Sequence, residues 1–376
     1  MTNPTDLKPF RIALSDSASF LARVRSIKLA LDVDFEWYPY DTLSNLSHMS
    51  ALLSTLDGDL VDYLPNSVAL DIGCGDGEVA LFLESCGFSV EAIDFVHTNH
   101  NGLRGAKRLI GALGSMVRLH NLDLDTGIEF PVGDAGLAVC LGLLYHLKNP
   151  HAFLERLARS CHYCILSTKL LTSLQNAPSS LDSLPIGYLV DSAELNDDDS
   201  NYWVFTESGL ARLLDRAGWT VLATSTFQSQ VSVLDKSPFS VDKRAFMLLC
   251  SKVGLRSVRL LNGWYGVDGS GWRWTAPTFS FLIPAPASPS RSICLDTYFP
   301  SGIYNCTVLT TTIDGEQAEE QVLDRTEFST IRIPVPAALR GRTCLSVKCT
   351  LSQPVRMAPD KRELGLLVGA LYCSEG

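Results

Sequence analysis

The spacing of apolar and polar positions changes character twice along the chain. In "SASFLARVRSIKLAL" apolar residues recur at helical spacing with basic residues between them, and "FEWYPYDTLSNLSHMSALLSTL" begins aromatic and continues helical. Together these predict a helical N-terminal cap over residues 1–60, whose aromatic stretch either packs or closes over a ligand. From residue 61 the apolar runs shorten to "SVALDIG", "SVEAIDF", "VRLHNLD", "LAVCLGLL" and "YCILSTK". Helical stretches such as "GEVALFLESCG", "PHAFLERLARS" and "TESGLARLLDRAG" fall between and after them. That alternation predicts an α/β unit over residues 61–253, with a doubly wound, largely parallel sheet. Two later runs, "TVLATSTFQ" and "RAFMLLCSK", end the sheet on a reversed strand. A stretch rich in Pro, Ser and Asp, about residues 172–203, reads as an insertion at the ligand-binding end. Beyond residue 254 helical spacing stops, and short alternating strands separated by turn residues predict an all-β sandwich over 254–376.

Within this pattern "ALDIGCGDGEVALFLESCGFSVEAIDF" stands out. Glycines 73, 75 and 77 follow an apolar strand, a helix follows them, and Asp94 closes the next strand. Bare backbone lets a ligand lie against the turn, the helix start offers free amides, and a carboxylate one βαβ step on accepts both hydroxyls of a ribose. The loop has no phosphate-binding lysine. It carries Asp71, Asp76 and Glu78, which disfavour a pyrophosphate and suit a cationic ligand.

Composition narrows the classes. A net charge of −10 disfavours a nucleic-acid partner. No apolar run approaches a membrane span, and the first ten residues lack a signal-peptide core, so the reading is cytoplasmic. The 11 cysteines are scattered through apolar segments, as reduced core residues are. Cys161 and Cys164 form one CxxC without a second pair, so packing outweighs zinc and no metal site is expected.

The glycine loop and Asp94 closely resemble the first two motifs of class I S-adenosylmethionine-dependent methyltransferases. "VRLHNLDLDT" and "VCLGLLYHLKNPHAFLERLAR" are similar to the later ones. The resemblance covers residues 61–252 and implies a Rossmann-like fold. It implies S-adenosylmethionine as cofactor, held by Asp71, Gly73, Gly75, Asp94 and, at the adenine amine, Asp123. "LGLLYHLKNPHAFLERL", "NYWVFTESGLARLLDRAGW" and "FEWYPYDTLSNL" are also similar to the group that carboxymethylates the wobble uridine of transfer RNA. That group uses a lysine ahead of its first strand for the donor's extra carboxylate, whereas "EWYPYDTL" has Pro39 and no lysine. In the last domain "GWYGVDGSGWRWT" resembles small β-sandwich modules attached to glycosyltransferases and polysaccharide-modifying enzymes.

Candidate chemistry follows. His146, with Tyr145 beside it, is placed to take a proton from an acceptor hydroxyl. Arg104 is a candidate anchor for an anionic acceptor group, and Tyr202 and Trp203 either stack on the acceptor or close over it. Trp264, Tyr265, Trp272, Arg273 and Trp274 form either a core or a sugar platform. The expected function is O-methylation of a sugar hydroxyl on a glycan or glycolipid precursor. The alternatives are a transfer-RNA wobble-uridine modifier and a catalytically silent cofactor-binding scaffold. A homodimer stays open.

Overall fold

The computed structural model describes residues 7–127, 129–175, 181, 183–228, 239–253, 258–267, 271–285, 292–299, 307–323, 327–339, 342–356 and 360–374. Residues 176–180 and 182 of the expected insertion lie outside this set. The chain divides into two compact units, Met1–Thr55 with Leu64–Val253, and Leu56–Tyr63 with Gly254–Gly376.

The first unit is built on β1 (Val68–Ile72), β2 (Ser89–Asp94), β3 (Arg118–Asn121), β4 (Ala135–Leu141) and β5 (Cys161–Leu170), all parallel. Short β6 (Ser173–Leu174), β7 (Gly187–Leu189) and β8 (Trp203–Phe205) follow. Then come β9 (Trp219–Gln228), β10 (Phe239–Ser240) and β11 (Lys243–Ser251). The main sheet runs β3-β2-β1-β4-β5-β11-β9. Its central strands are buried almost throughout, as strands covered on both faces must be. Helices α1 (Phe10–Ser15), α2 (Ser17–Ala30) and α3 (Asn45–Leu53) make the cap. The crossover helices are α4 (Glu78–Ser85), α5 (Arg104–Leu113), α6 (Pro150–Ser160) and α7 (Glu207–Arg216).

Helix α4 is buried from Glu78 to Leu83 because the cap lies on it. Phe10 and Phe20 meet Phe82 with ring centroids 6.1 and 5.5 Å apart. Cys161 and Cys164 are buried in β5, in the sheet core.

One expectation about the sheet needs correction. The reversed strand does not end the sheet: β11 lies between β5 and β9, antiparallel to both. The crossover through α7 sets β9 one strand beyond β5, and the chain returning from β9 fills the gap. This brings the first residues of β11 to the carboxyl end of β5, so that Arg244 pairs with Lys169. The insertion forms a small core of its own with Leu171, Val190, Leu195, Val204, Phe239 and Val241. That core fixes residues 198–202 at the carboxyl end of the sheet.

The second unit holds two five-stranded antiparallel sheets. In spatial order one comprises Arg259–Leu260, Thr278–Pro284, Cys344–Leu351, Thr307–Ile313 and Glu316–Leu323. The other comprises Trp264–Val267, Arg273–Thr275, Leu367–Cys373, Ser292–Phe299 and Glu327–Pro334. Residues 56–63 join this unit: Gly263 N donates to Asp57 Oδ2 at 2.9 Å, and Tyr63 OH to the Trp264 carbonyl at 3.2 Å. The aromatic cluster divides. Trp264 is core, its ring 5.1 Å from Phe279. Trp272 lies over Gly369 and 5.5 Å from the largely exposed Phe328. No helix among the described residues is long and apolar enough to cross a membrane.

Candidate active site

At the end of β1 the backbone turns through Gly73, Gly75 and Gly77 with φ of 75°, 57° and 81°, a region costly for any side chain. Space is short at Gly73, where a Cβ would fall 3.3 Å from Leu143, whereas one on Gly75 would make ordinary contact with Tyr38 at 3.6 Å. The turn is tied to the end of β2. Gly73 N and Cys74 N donate to the Ile93 carbonyl, and Gly75 N donates to Asp94 Oδ2 at 2.8 Å. Phe95 N donates to Asp94 Oδ1 at 2.7 Å, and Asn99 Nδ2 to Oδ2 at 3.1 Å. Burial raises the Asp94 carboxyl above its ordinary value, and these donors act against the rise.

The acids of the loop have different duties. Asp76 Oδ2 accepts from Lys28 Nζ at 2.8 Å and from Tyr38 N at 2.9 Å, and Asn101 Nδ2 donates to its Oδ1 at 2.8 Å. Glu78 pairs with the same Lys28 at 2.6 Å and accepts from Thr42 Oγ1. Both are therefore tied to the cap, where the single charge of Lys28 offsets one of the two, and they draw the cap onto the loop. Asp71 is buried under the turn, its Oδ2 has no partner, and burial pushes its carboxyl up to about 7. A cation nearby would restore its charge.

Gly105 tests how tightly this corner is closed. Glycine to alanine normally stabilises a helix by about 0.5–1 kcal/mol. Here the new Cβ would fall 2.0 Å from Asp76 Oδ1 and 2.7 Å from Asn101 Nδ2. Gly105→Ala should instead destabilise by about 1–3 kcal/mol, read from denaturant unfolding. An unchanged or raised midpoint would show that the Asp76 network is loose.

A cavity of about 730 Å³ opens above the carboxyl ends of the strands. Gly73, Gly75, Asp94 and Asp123 line it, together with Tyr145, His146 and Tyr202. Asp71 lies beneath the wall and does not line the cavity. The structure leaves two candidates out. Arg104 turns away, 3.6 Å from Asp34 and over the Phe35 ring, because the first turn of α5 points at the cap. Trp203 donates from Nε1 to the Lys148 carbonyl at 3.2 Å and stacks near Phe205, behind Tyr202.

His146 sits in a 3-10 turn, Leu144–His146. Its Nδ1 is 2.9 Å from Ser200 Oγ and 3.1 Å from the Ser200 carbonyl. The Ser200 hydroxyl donates to Asp198 Oδ1 at 2.6 Å. A carbonyl and a hydroxyl that has given its hydrogen away can only accept, so Nδ1 carries the proton and Nε2 keeps its lone pair for the cavity. Burial lowers the His146 pKa from its ordinary value, so the ring is neutral at pH 7. Tyr145 is the reverse case: burial raises its pKa, and it stays a protonated donor.

Sequence reasoning missed Asp198 and Ser200, visible only as part of an acidic run, and Lys169 and Arg244. The signal for the last two was a charge at the rim of each of two apolar strands, "YCILSTK" and "RAFMLLCSK".

Residues 47–224 match a family model described as a methyltransferase domain. No curated protein matches the chain. Among solved structures, the N-terminal domain of EvdMO1 in the presence of SAH and D-fucose is 17% identical, with a TM-score of 0.38, covering 63% of this chain and 97% of that one. The [4+2]-cyclase SpnF is 13% identical, with a TM-score of 0.39, covering 66% and 98%. An S-adenosylmethionine-dependent methyltransferase from Clostridium acetobutylicum is 13% identical, with a TM-score of 0.33, covering 56% and 99%. The cofactor expected from the sequence is S-adenosylmethionine. The site fits it through the glycine turn, where a Cβ on Gly73 would crowd Leu143, and through the Asp94 carboxylate, which lines the cavity.

Proposed function

We propose that this methyltransferase domain transfers the methyl group of S-adenosylmethionine to a sugar hydroxyl on a glycan or glycolipid precursor. The observation that carries the reading is His146. It is neutral, its tautomer is fixed through Ser200 and Asp198, and its free Nε2 belongs to the same cavity as the glycine turn. Bound cofactor supplies an electrophilic methyl group. Gly73 and Gly75 would give the backbone surface for its methionine half, Asp94 would accept from the ribose, and Asp123 would meet the adenine amine. Nε2 of His146 takes the hydroxyl proton as the acceptor oxygen attacks. The Nδ1–H bond toward Ser200 and Asp198 steadies the imidazolium that results. Tyr145 and Tyr202 orient the acceptor, since in-line transfer demands a fixed approach.

The donor in this reading is S-adenosylmethionine itself and not its carboxylated relative. Tyr38 lies over Gly75, and the stretch from Glu36 to Leu43 brings no cation to the cavity. Competition between the two donors for the purified protein should favour S-adenosylmethionine. A clear preference for the carboxylated donor would replace this reading with wobble-uridine carboxymethylation.

A further inference from the structure

The cavity carries two positive charges that the proposed chemistry does not use. Lys169 is the last but one residue of β5 and Arg244 the second of β11, and the two are direct cross-strand partners. Like charges at directly opposed positions of an antiparallel pair repel, and burial strengthens the repulsion. Lys169 is 7% exposed. Among the described residues neither side chain forms an ion pair with a carboxylate.

What these cations touch is weakly compensating. The Lys169 ammonium sits 4.2 Å from the centre of the Tyr145 ring. Arg244 Nη2 donates to Ser167 Oγ at 2.7 Å, the guanidinium lies over the Phe246 ring, and its buried Nε has no partner. Gly142, at the end of β4, leaves the space between them open. A Cβ there would fall 3.0 Å from Arg244 Nη2 and 3.3 Å from the Tyr145 hydroxyl. Burial lowers the pKa of both cations, Lys169 to about 8, yet both remain charged at neutral pH. Asp198 acts on Lys169 from beyond ion-pair distance and no carboxylate acts on Arg244, so two buried positive charges share the cavity with one carboxylate to offset them, which is costly.

We infer that the methyl acceptor carries an oxyanion, a carboxylate or a phosphate, which Lys169, Arg244 and the Tyr145 hydroxyl bind around Gly142. This deepens the proposed function and rests on it: the acceptor is an acidic sugar, such as a uronic acid or a sugar phosphate. Arginine offers a planar pair of donors suited to either oxyanion, and lysine adds a point charge. The anion bound there would hold the acceptor while its hydroxyl reaches His146.

The test uses the full chain loaded with SAH, with D-glucuronate, D-glucose 6-phosphate and D-glucose as probes in saturation-transfer NMR titrations. One or both anionic sugars should bind at least about tenfold more tightly than glucose. The stronger of the two tells carboxylate from phosphate. Arg244→Gln and Lys169→Met should each remove that preference and leave SAH affinity, from calorimetry, close to the parent value. Equal binding of all three sugars, or none, overturns the inference and leaves the methyltransferase reading standing. Loss of SAH affinity in both variants with sugar binding intact also overturns it, since the cations then serve the donor. Failure of the parent protein to bind SAH removes the proposed function and this inference together.

Discussion

His146→Gln lowers the rate of methyl transfer by about two to four orders of magnitude, the usual contribution of a positioned general base. SAH affinity should stay near that of the parent, because in this reading the ring serves the acceptor and is not one of the residues that hold the donor. Glutamine keeps the volume and a donor for Ser200, so unfolding is not the expected cause, and thermal melting checks this. The pH dependence supplies the second readout. Burial lowers the pKa of His146 below its ordinary value of 6.5. Activity requires the neutral ring, so it holds at neutral pH and is lost as pH falls through that lowered value. Asp198 raises the His146 pKa. Asp198→Asn should therefore move the acid limb to lower pH, as well as slow the reaction through weaker support of the imidazolium. A purely structural role for Asp198 would leave the limb in place. An unchanged rate in His146→Gln would remove the base from the mechanism and shift attention to Tyr202 and the donors around Gly142.

The period of apolar residues was enough to find the parallel strands and their crossovers, because a strand buried on both faces reads as a continuous apolar run. It was enough to find the glycine turn and Asp94, because those residues are close in sequence and their spacing is fixed by one βαβ unit. What stayed hidden depends on long-range pairing. Lys169 and Arg244 are 75 residues apart and meet only because β11 is inserted antiparallel beside β5. A strand's direction and neighbours are not written in its own periodicity. Asp198 and Ser200 were legible as a polar loop, yet their link to His146 depends on the small core that folds the insertion back. Lys28 was hidden in the same way, reading as one of several polar positions on α2. The structure shows it shared between Asp76 and Glu78, which gives those two acids a duty in holding the cap. Arg104 erred in the opposite direction. Its position near Asp94 in sequence suggested a site role, while the helical turn directs it toward the cap.

Asp94→Ala should weaken SAH binding by about 1.5–3 kcal/mol, or about 10–10²-fold in Kd, because a ribose hydroxyl loses the charge-assisted partner offered by the one acceptor position that Asp94 keeps open. The carboxylate is already held by Gly75 N, Phe95 N and Asn99 Nδ2, which use three of its roughly four lone-pair directions within the plane. Those bonds fix the orientation of Asp94 before any ligand arrives, so little ordering entropy is spent on binding. They also make alanine doubly damaging, since Gly75 N loses its acceptor and the glycine turn loses its tie to β2. Asp94→Asn separates the two effects. Its amide oxygen can still accept from Gly75 and Asn99, but the charge is gone and the amide nitrogen takes the place of the oxygen that faced Phe95 N. The asparagine variant should therefore fold like the parent and still bind SAH at least about tenfold more weakly. Protonation of the parent makes the same change reversibly. The Asp94 pKa is raised, so hydroxyl binding, which needs the ionised form, is complete above that pKa and is lost as pH falls through it. The loss begins at higher pH than an ordinary carboxylate would allow. Calorimetry with SAH between pH 4 and 8 reads this directly. Affinity that is flat with pH, together with an asparagine variant that binds as the parent does, would show that the ribose rests elsewhere.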